Sequence, residues 1–165
     1  MSEILPPDHL DVDAVLHALA EMEVEFVLIG ALAVGMHGAV RATKDVDIVP
    51  NPAPANLERL AAAVRAIGGR QIGVDTEFLP HQPTDADGLA AGGSFQLATV
   101  HGQLDILQAG GSIPRYGDLA GAALEAPYEG LHVRYCSREH LIAMKRAAGR
   151  PRDLLDLDEL GADAT

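Results

Sequence analysis

One stretch, residues 26–50, constrains the fold of this chain more than any other. It reads FVLIGALAVGMHGAVRATKDVDIVP: a hydrophobic run ends at Gly30, a short segment of small residues follows, and a second apolar run carries Asp45 and Asp47. Alternate residues of a β-strand share a face, so the two aspartates point to one side while their apolar neighbours point into the core. The stretch therefore predicts a strand, a tight turn with a short helix, and a second strand that presents two carboxylates together.

Hydrophobic periodicity predicts the elements around this stretch. Helices are expected at residues 11–23, 31–37, 56–67, 117–124, 138–149 and 152–160. Strands are expected at residues 24–29, 44–49 and 131–136, and in two extended arms within 95–107. Residues 73–94 show no periodicity apart from a short helix opened by Thr84 and closed by Gly92, and we interpret this long connection as a mobile flap.

Length and composition predict a single domain, 1–165. The chain has 165 residues, of which 48% are hydrophobic, and this suffices for one core but not for two. The net charge of −12 disfavours a broad surface for nucleic acid or anionic membranes, which are bound through basic side chains. Five of the twelve basic residues nevertheless fall within residues 138–152, so a local basic patch is expected.

We expect a cytoplasmic protein that does not enter a membrane. The start of the chain is acidic and interrupted by proline, unlike a signal peptide. No run approaches the roughly 18 apolar residues that span a bilayer. The lone Cys136 excludes an internal disulfide and a zinc site built from cysteines.

Three aspartates, Asp45, Asp47 and Asp105, lie in the middle of expected strands, where aspartate is disfavoured and burial requires a compensating charge. Hard divalent cations such as Mg²⁺ prefer carboxylate oxygens, and a pair of such ions can clamp the entering and leaving oxygens of a phosphoryl or nucleotidyl transfer. The alternative is an ordinary strand that faces solvent. The choice depends on exposure, because a pair of carboxylates in a cleft requires a cation and an exposed pair does not.

Two further features indicate an anion site. Gly30 permits a tight turn, and the short helix that follows would aim free N–H groups beyond the strand. Lys145 follows Leu141 by four residues and Ile142 by three, so a charged side chain lies on the stripe that should face the core. Its stem either snorkels out to water or carries the ammonium group into a cleft.

The order of these residues resembles a known pattern. Gly30-Ala31, a gap of thirteen residues, DVDI at 45–48 and GQLDIL at 102–107 resemble the polymerase-beta-type nucleotidyltransferase superfamily. The segments HGAVRATKDVDI at 37–48 and LIAMKRAAGRPRDLLDL at 141–157 are similar to its minimal bacterial branch, the AbiEii-like and MNT-like proteins. Such proteins are often encoded as toxin–antitoxin components. The resemblance covers most of residues 26–160 and leaves the flap unmatched.

The resemblance implies an α+β fold, a nucleotidyltransferase-like mixed β-sheet with flanking helices. In such a fold the matched Asp45, Asp47 and Asp105 ligate Mg²⁺, and the Gly30 turn with the following helix holds the β- and γ-phosphates of a nucleoside triphosphate. Ala31 departs from the family, which usually has a second glycine or a serine there. Since alanine has no hydroxyl group, we expect weaker triphosphate binding.

The resemblance also nominates residues around the nucleotide. Lys145 matches a lysine that contacts phosphate. Arg150 and Asp153 match an R-P-x-D ending that lines the nucleotide site, although an ion pair at a helix end is the simpler alternative. Arg41 and Thr43 precede the aspartate strand closely enough to contact a nucleotide, although a loop arginine is more often simply solvated.

Two hypotheses follow for the function. The first is an enzyme that uses Mg²⁺ to transfer a nucleoside monophosphate from a nucleoside triphosphate to a hydroxyl acceptor, which could be an RNA 3′ end, a protein or a small molecule. In a toxin–antitoxin pair it would also bind an antitoxin-like protein. The second hypothesis is a catalytically eroded module that binds a partner protein, with Ala31 marking the loss of the phosphate loop.

Overall fold

The computed structural model describes residues 3–39, 42–73 and 81–162. The helices of these residues are α1 (Val12–Glu21), α2 (Gly30–Met36), α3 (Pro54–Ala66), α4 (Ala86–Ala90), α5 (Tyr116–Ala122), α6 (Arg138–Ala148) and α7 (Pro151–Glu159). The strands are β1 (Phe26–Ile29), β2 (Asp45–Pro50), β3 (Arg70–Gln71), β4 (Phe95–Thr99), β5 (Gly102–Ile106), β6 (Leu124–Tyr128) and β7 (Leu131–Tyr135). None of the helices in the described residues is long and apolar enough to cross a membrane.

The strands form one mixed sheet with the order β3-β4-β5-β2-β1-β7-β6. The central strand β2 pairs antiparallel with β1 and parallel with β5. Strand β1 pairs parallel with β7, and the outer pairs β3/β4 and β6/β7 are antiparallel. The predicted α+β class, a mixed sheet with flanking helices, is confirmed.

Each face of the sheet has its own hydrophobic core, as the alternation along β2 requires. Val46 and Ile48 pack on one face with α1 and α3, and both are fully buried. Val49 packs on the other face with apolar side chains of α2, α5, α6 and α7. Asp45 and Asp47 share the face of Val49 and therefore lie on the side of the sheet that carries these four helices.

Capping residues place α6 and α7 close to where the sequence predicts them. The Ser137 hydroxyl accepts a hydrogen bond from the His140 amide at 3.1 Å, which begins α6. Gly149 ends that helix in the left-handed conformation with φ 64°. Pro151 occupies the first turn of α7, where its missing N–H has no cost.

The sequence missed two edge strands. Strand β3 has only two residues, and β6 reads LEAPY, which is short and contains a proline. The helix predicted at 117–124 therefore ends at Ala122, and Leu124 begins β6. Proline is tolerated there because β6 is an edge strand, whose outer N–H groups need no ladder partner.

The flap interpretation is wrong for the described part of that segment, residues 81–94. Leu89 of α4 is fully buried in the core that includes α1 and α3. The Gln108 side-chain amide donates a hydrogen bond to the Leu89 carbonyl at 3.0 Å. This part of the connection is packed, and residues 74–80 lie outside the described residues.

Candidate active site

Three carboxylates meet at the centre of the sheet. In the parallel pairing of β2 with β5, Asp47 lies opposite Asp105 and Asp45 lies opposite Gln103. All three aspartates therefore point to the same face, and one oxygen of each lies within 4.8 Å of the others. The convergence expected from the sequence is observed.

Burial raises the pKa of two of these groups. The pKa of Asp47 is raised to about 8, first because burial penalises its charge and then because Asp45 and Asp105 repel it. The pKa of Asp105 is raised to about 6, again mainly by burial, although Gln103 donates a hydrogen bond to it at 2.9 Å. The negative charge of the site is thus poorly compensated by the protein itself.

The donor set fits a hard divalent cation. Mg²⁺ is bound through carboxylate oxygens, and all three groups of this cluster are carboxylates. A cation between them would favour the ionised forms that burial and mutual repulsion disfavour. The residues present are therefore suited to Mg²⁺.

Gly30 lies directly against Asp47, at the turn from β1 into α2. Its φ is +71°, a conformation that side chains other than glycine rarely adopt. A Cβ atom added there would lie 1.9 Å from Asp47 Oδ2. Glycine at this position lets the backbone approach the carboxylate closely.

We expect Gly30→Ala to reduce, at least 100-fold, the nucleotidyl transfer that the sequence predicts, because the new methyl group would displace the Asp47 carboxylate. The matched control is Gly35→Ala on the same helix, where an added Cβ has no neighbour within 4 Å and φ is ordinary. That control should retain full activity and slightly greater stability. Steady-state transfer assays of the two variants test this, and equal activities would contradict it.

A cleft opens beside Gly30, between the start of α2 and helix α6, and we call it the α2–α6 cleft. It is lined by Ile29, Gly30, Ala31, Asp45, Asp47, Leu107, Ser112, Ile113, Leu141, Met144, Lys145, Ala148, Arg150, Arg152 and Asp153. Positive side chains and the first turn of α2 thus face the two β2 aspartates. This combination of groups suits a polyphosphate that carries its own metal.

A second cleft adjoins the first on the β5 side, and we call it the β4–β5 cleft. It is lined by Asp45, Asp47, Ser94, Gln96, Asp105, Leu107, Gly110, Gly111, Ser112, Ile113, Ala148, Arg150 and Arg152. The two clefts share Asp45 and Asp47, whereas Asp105 lines only the second. Two reactants could therefore reach the carboxylates from different sides.

Lys145 is buried, with 8% of its surface exposed, and it lines the α2–α6 cleft. Its Nζ lies 2.8 Å from Asp156 Oδ2 and 3.3 Å from Asp153 Oδ1. Its charge also lowers the pKa of Asp47, against the larger effect of burial. The Lys145 side chain therefore does not snorkel out to water, which was one of the two alternatives that the sequence left open.

Arg150 and Asp153 line the same cleft and also form the ion pair expected at a helix end. Arg150 Nε donates to Asp153 Oδ2 at 2.7 Å, and the Arg150 amide donates to the same oxygen at 3.1 Å, which caps α7. Burial alone would raise the pKa of Asp153, but Arg150 and Lys145 outweigh it and the pKa lies below its usual value. Arg150 and Asp153 therefore form the ion pair at the helix end and also line the cleft.

The remaining predicted residues differ in whether they line a cleft. Ala31 lines the α2–α6 cleft. The Thr43 hydroxyl donates to the Asp45 carbonyl at 2.6 Å, so it holds the start of β2 and lines neither cleft. Arg41 lies outside the described residues.

Three residues near the site were not predicted as part of it. Arg152 and Ser112 line both clefts, and Asp156 contacts Lys145. Arg152 belongs to the basic segment noted in the sequence, and the three-residue spacing of Asp153 and Asp156 places them on one side of a helix. Ser112 has no such signal, because its position depends on how the chain folds after β5.

The structure has a mixed sheet with two aspartates on one strand and a third on its parallel neighbour, beside a glycine turn, which is the arrangement that the resemblance to nucleotidyltransferases implied. A family model described as nucleotidyl transferase AbiEii toxin, type IV toxin–antitoxin system, matches residues 14–164. The chain belongs to this family, which confirms the resemblance seen in the sequence. No individual curated protein matches the chain by sequence.

Solved structures share the fold at low sequence identity. The lincomycin-bound lincosamide antibiotic adenylyltransferase LnuA has a TM-score of 0.62 at 16% identity, covering 93% of this chain and 98% of that protein. The antibiotic-resistance factor ANT(2″)-Ia has a TM-score of 0.59 at 17% identity, with coverage of 90% and 80%. A putative nucleotidyltransferase from Thermotoga maritima has a TM-score of 0.53 at 14% identity, with coverage of 92% and 95%.

Proposed function

We propose that this protein transfers a nucleoside monophosphate from a nucleoside triphosphate to the hydroxyl group of an acceptor and releases pyrophosphate. The observation that carries the proposal is the convergence of Asp45, Asp47 and Asp105 beside Gly30. Membership of the AbiEii nucleotidyltransferase family supports it.

In this reaction Asp45, Asp47 and Asp105 would hold Mg²⁺. When bound, Mg²⁺ neutralises phosphate charge and stabilises the entering and leaving oxygens. Asp105 lines the β4–β5 cleft, so we propose that its carboxylate accepts the proton of the acceptor hydroxyl group. The acceptor oxygen forms a bond to the α-phosphorus, the bond from that phosphorus to the bridging oxygen breaks, and pyrophosphate leaves with the electron pair.

The α2–α6 cleft would hold the triphosphate. Helix α2 has no side-chain cap at its start, so the N–H groups of Gly30 and Ala31 are available to phosphate oxygens. Arg150 and Lys145 add positive charge from the facing side. Ala31 supplies no hydroxyl donor, so we expect a higher KM for the triphosphate than a serine would give.

The partners follow from the family and the clefts. The family description is that of a toxin in a type IV toxin–antitoxin system, so we propose an antitoxin protein as a partner. We propose the β4–β5 cleft as the place of the acceptor, with an RNA 3′ end, a protein side chain and a small molecule as the candidate classes. Antibiotics are candidates because proteins of this fold include a lincosamide adenylyltransferase.

Transfer of label tests the proposal. The purified protein is incubated with each α-labelled nucleoside triphosphate and Mg²⁺, together with total RNA, protein or antibiotics as acceptors. We expect label on one acceptor class, lost with EDTA and lost in the Asp45→Asn/Asp47→Asn variant. If no acceptor is labelled, and calorimetry shows no triphosphate binding or binding that survives in that variant, the enzyme proposal fails and the alternative of an eroded partner module is supported.

Stabilisation by Mg²⁺ should grow as pH rises from about 6 to about 8. The raised pKa values mean that Asp105 and Asp47 release their protons across this interval, and the cation binds the ionised groups. We expect the shift in melting temperature at one Mg²⁺ concentration to be several-fold larger at the upper pH. A shift independent of pH, or one that persists unchanged in Asp47→Asn, would contradict the assignment of the cation to these groups.

A further inference from the structure

Asp156 is a buried carboxylate that contacts a residue of the α2–α6 cleft without lining the cleft itself. It lies on α7, three residues after Asp153, and only 1% of its surface is exposed. Neither cleft formed by the described residues is lined by Asp156. Its Oδ2 nevertheless lies 2.8 Å from the Nζ of Lys145, which does line the α2–α6 cleft.

The two carboxylates on α7, Asp153 and Asp156, differ in their main partners. Asp153 accepts hydrogen bonds from Arg150 through Nε at 2.7 Å, the backbone amide at 3.1 Å and Nη2 at 3.3 Å. Its contact with Lys145 is the longer one, at 3.3 Å. Asp156 therefore provides the closer anchor for the ammonium group.

The position of that ammonium group matters for the cleft. Lysine is a compact charge on a flexible stem, so its location depends on the partners that hold it. Charged groups at this depth are stable only when paired, and the Asp156 carboxylate supplies one such pairing. Since the charge of Lys145 acts on Asp47, a displaced ammonium would change the electrostatics of the carboxylate cluster.

We propose that Asp156 is a positioning residue that holds the Lys145 ammonium at the edge of the α2–α6 cleft. The inference rests on the proposed function, because in nucleotidyl transfer this ammonium is what stabilises phosphate charge in the cleft. Asp156 touches neither substrate nor metal. It acts on the reaction through Lys145.

The expected effect of Asp156→Asn is a loss in kcat with little change in KM. Asparagine keeps the shape of the side chain and removes its charge, so the ammonium loses its closer anchor but remains near Asp153. Mutation of the outer partners of metal ligands typically costs 10–100-fold in affinity or activity, and we expect kcat to fall by a similar factor here. We expect KM for the triphosphate to stay within about threefold of wild type.

The chain offers a direct readout of Lys145, because its only two lysines are Lys44 and Lys145. Lys44 is exposed and Lys145 is buried, so an amine-acylating reagent should modify Lys44 quickly and Lys145 slowly in the folded wild type. In Asp156→Asn we expect labelling of Lys145 to accelerate at least tenfold while Lys44 is unchanged. Peptide mass spectrometry gives both rates in one sample.

The matched control is Asp158→Asn, which removes the same charge from an exposed position on the same helix. It should leave the labelling of both lysines and the kinetic constants at wild-type values. If Asp156→Asn behaves like this control in labelling or in kcat, the positioning role is overturned.

The labelling result separates this inference from the proposed function. If the wild type transfers no nucleotide but Lys145 is exposed in Asp156→Asn, the proposed function fails while the contact that holds the lysine is upheld. If the wild type transfers nucleotide normally and Asp156→Asn changes neither kcat nor the labelling rate of Lys145, only the positioning role fails.

A double variant covers the case in which Asp156→Asn alone does not fold. In Lys145→Met the Asp156 carboxylate loses the ammonium group 2.8 Å away, so adding Asp156→Asn should raise the melting temperature above that of Lys145→Met. A double variant that melts at or below the single variant would show that Asp156 does not depend on Lys145, and would also overturn the inference.

Discussion

Replacing Asp47 with asparagine is expected to reduce nucleotidyl transfer on the order of 1,000-fold and, at the same time, to stabilise the metal-free protein. The loss of activity follows from removing a carboxylate at the centre of the cluster, next to both Asp45 and Asp105. The gain in stability follows from removing a partly buried carboxyl group whose ionisation is opposed by desolvation and by its two acidic neighbours.

The sign of the stability change comes from the direction of the pKa shift. The pKa of Asp47 is raised from 3.8 to about 8 in the folded protein. A group of this kind contributes its full stability below its ordinary pKa and loses that contribution as pH rises through the folded value. At pH 8 the ionisation of Asp47 opposes folding, and asparagine removes a penalty of about 2–4 kcal/mol.

Urea unfolding without metal, at about pH 5 and at pH 8, measures this penalty. Asp47→Asn should exceed the wild type in free energy of unfolding mainly at the higher pH. The matched control, Asp118→Asn, removes an exposed carboxylate that lines neither cleft and should change neither stability nor transfer. A variant less stable than the wild type at pH 8, or one that retains transfer, would contradict the account of the site.

Replacing Lys145 with methionine is expected to destabilise the protein by about 3–5 kcal/mol and to abolish measurable transfer. The methionine fills the volume of the lysine stem but leaves Asp153 and Asp156 without the ammonium group that lies between them. Both carboxylates are buried, so water cannot replace the lost partner.

Thermal melting tests this expectation. For a chain of this size the melting temperature should fall by roughly 10 °C. The matched control is Lys44→Met, because Lys44 is the other lysine of the chain and is exposed, and it should melt within a few degrees of the wild type. Equal melting temperatures for the two variants would mean that the buried ion pairs contribute nothing to folding.

Local sequence signals predicted most of the elements around the site. The strand that bears Asp45 and Asp47 follows from β-favouring residues with period two, which requires no knowledge of the partner strands. The start and end of α6 follow from Ser137 and Gly149, whose effects act within one helical turn. These features were predictable because their causes lie close together in the chain.

Other features depend on contacts between distant parts of the chain. The register that sets Asp47 opposite Asp105 joins residues on separate strands, and only the pairing of β2 with β5 decides it. Strand β6 is short and contains a proline, which weakens the strand signal, and it is defined by its pairing with β7. Residues 81–94 lack periodicity, yet α4 is packed because Leu89 finds space in the core.

The sequence by itself identified the candidate carboxylates and the glycine turn from their neighbouring residues, and it identified the class of fold through the resemblance of its ordered motifs to a known family. Only the tertiary structure decided how those carboxylates are charged and which partners hold Lys145. The physical reason is that burial and ion pairing are properties of the folded environment. Asp156 illustrates this. It is one of several acidic residues in α7, and only its contact with the Lys145 ammonium group 2.8 Å away distinguishes its role.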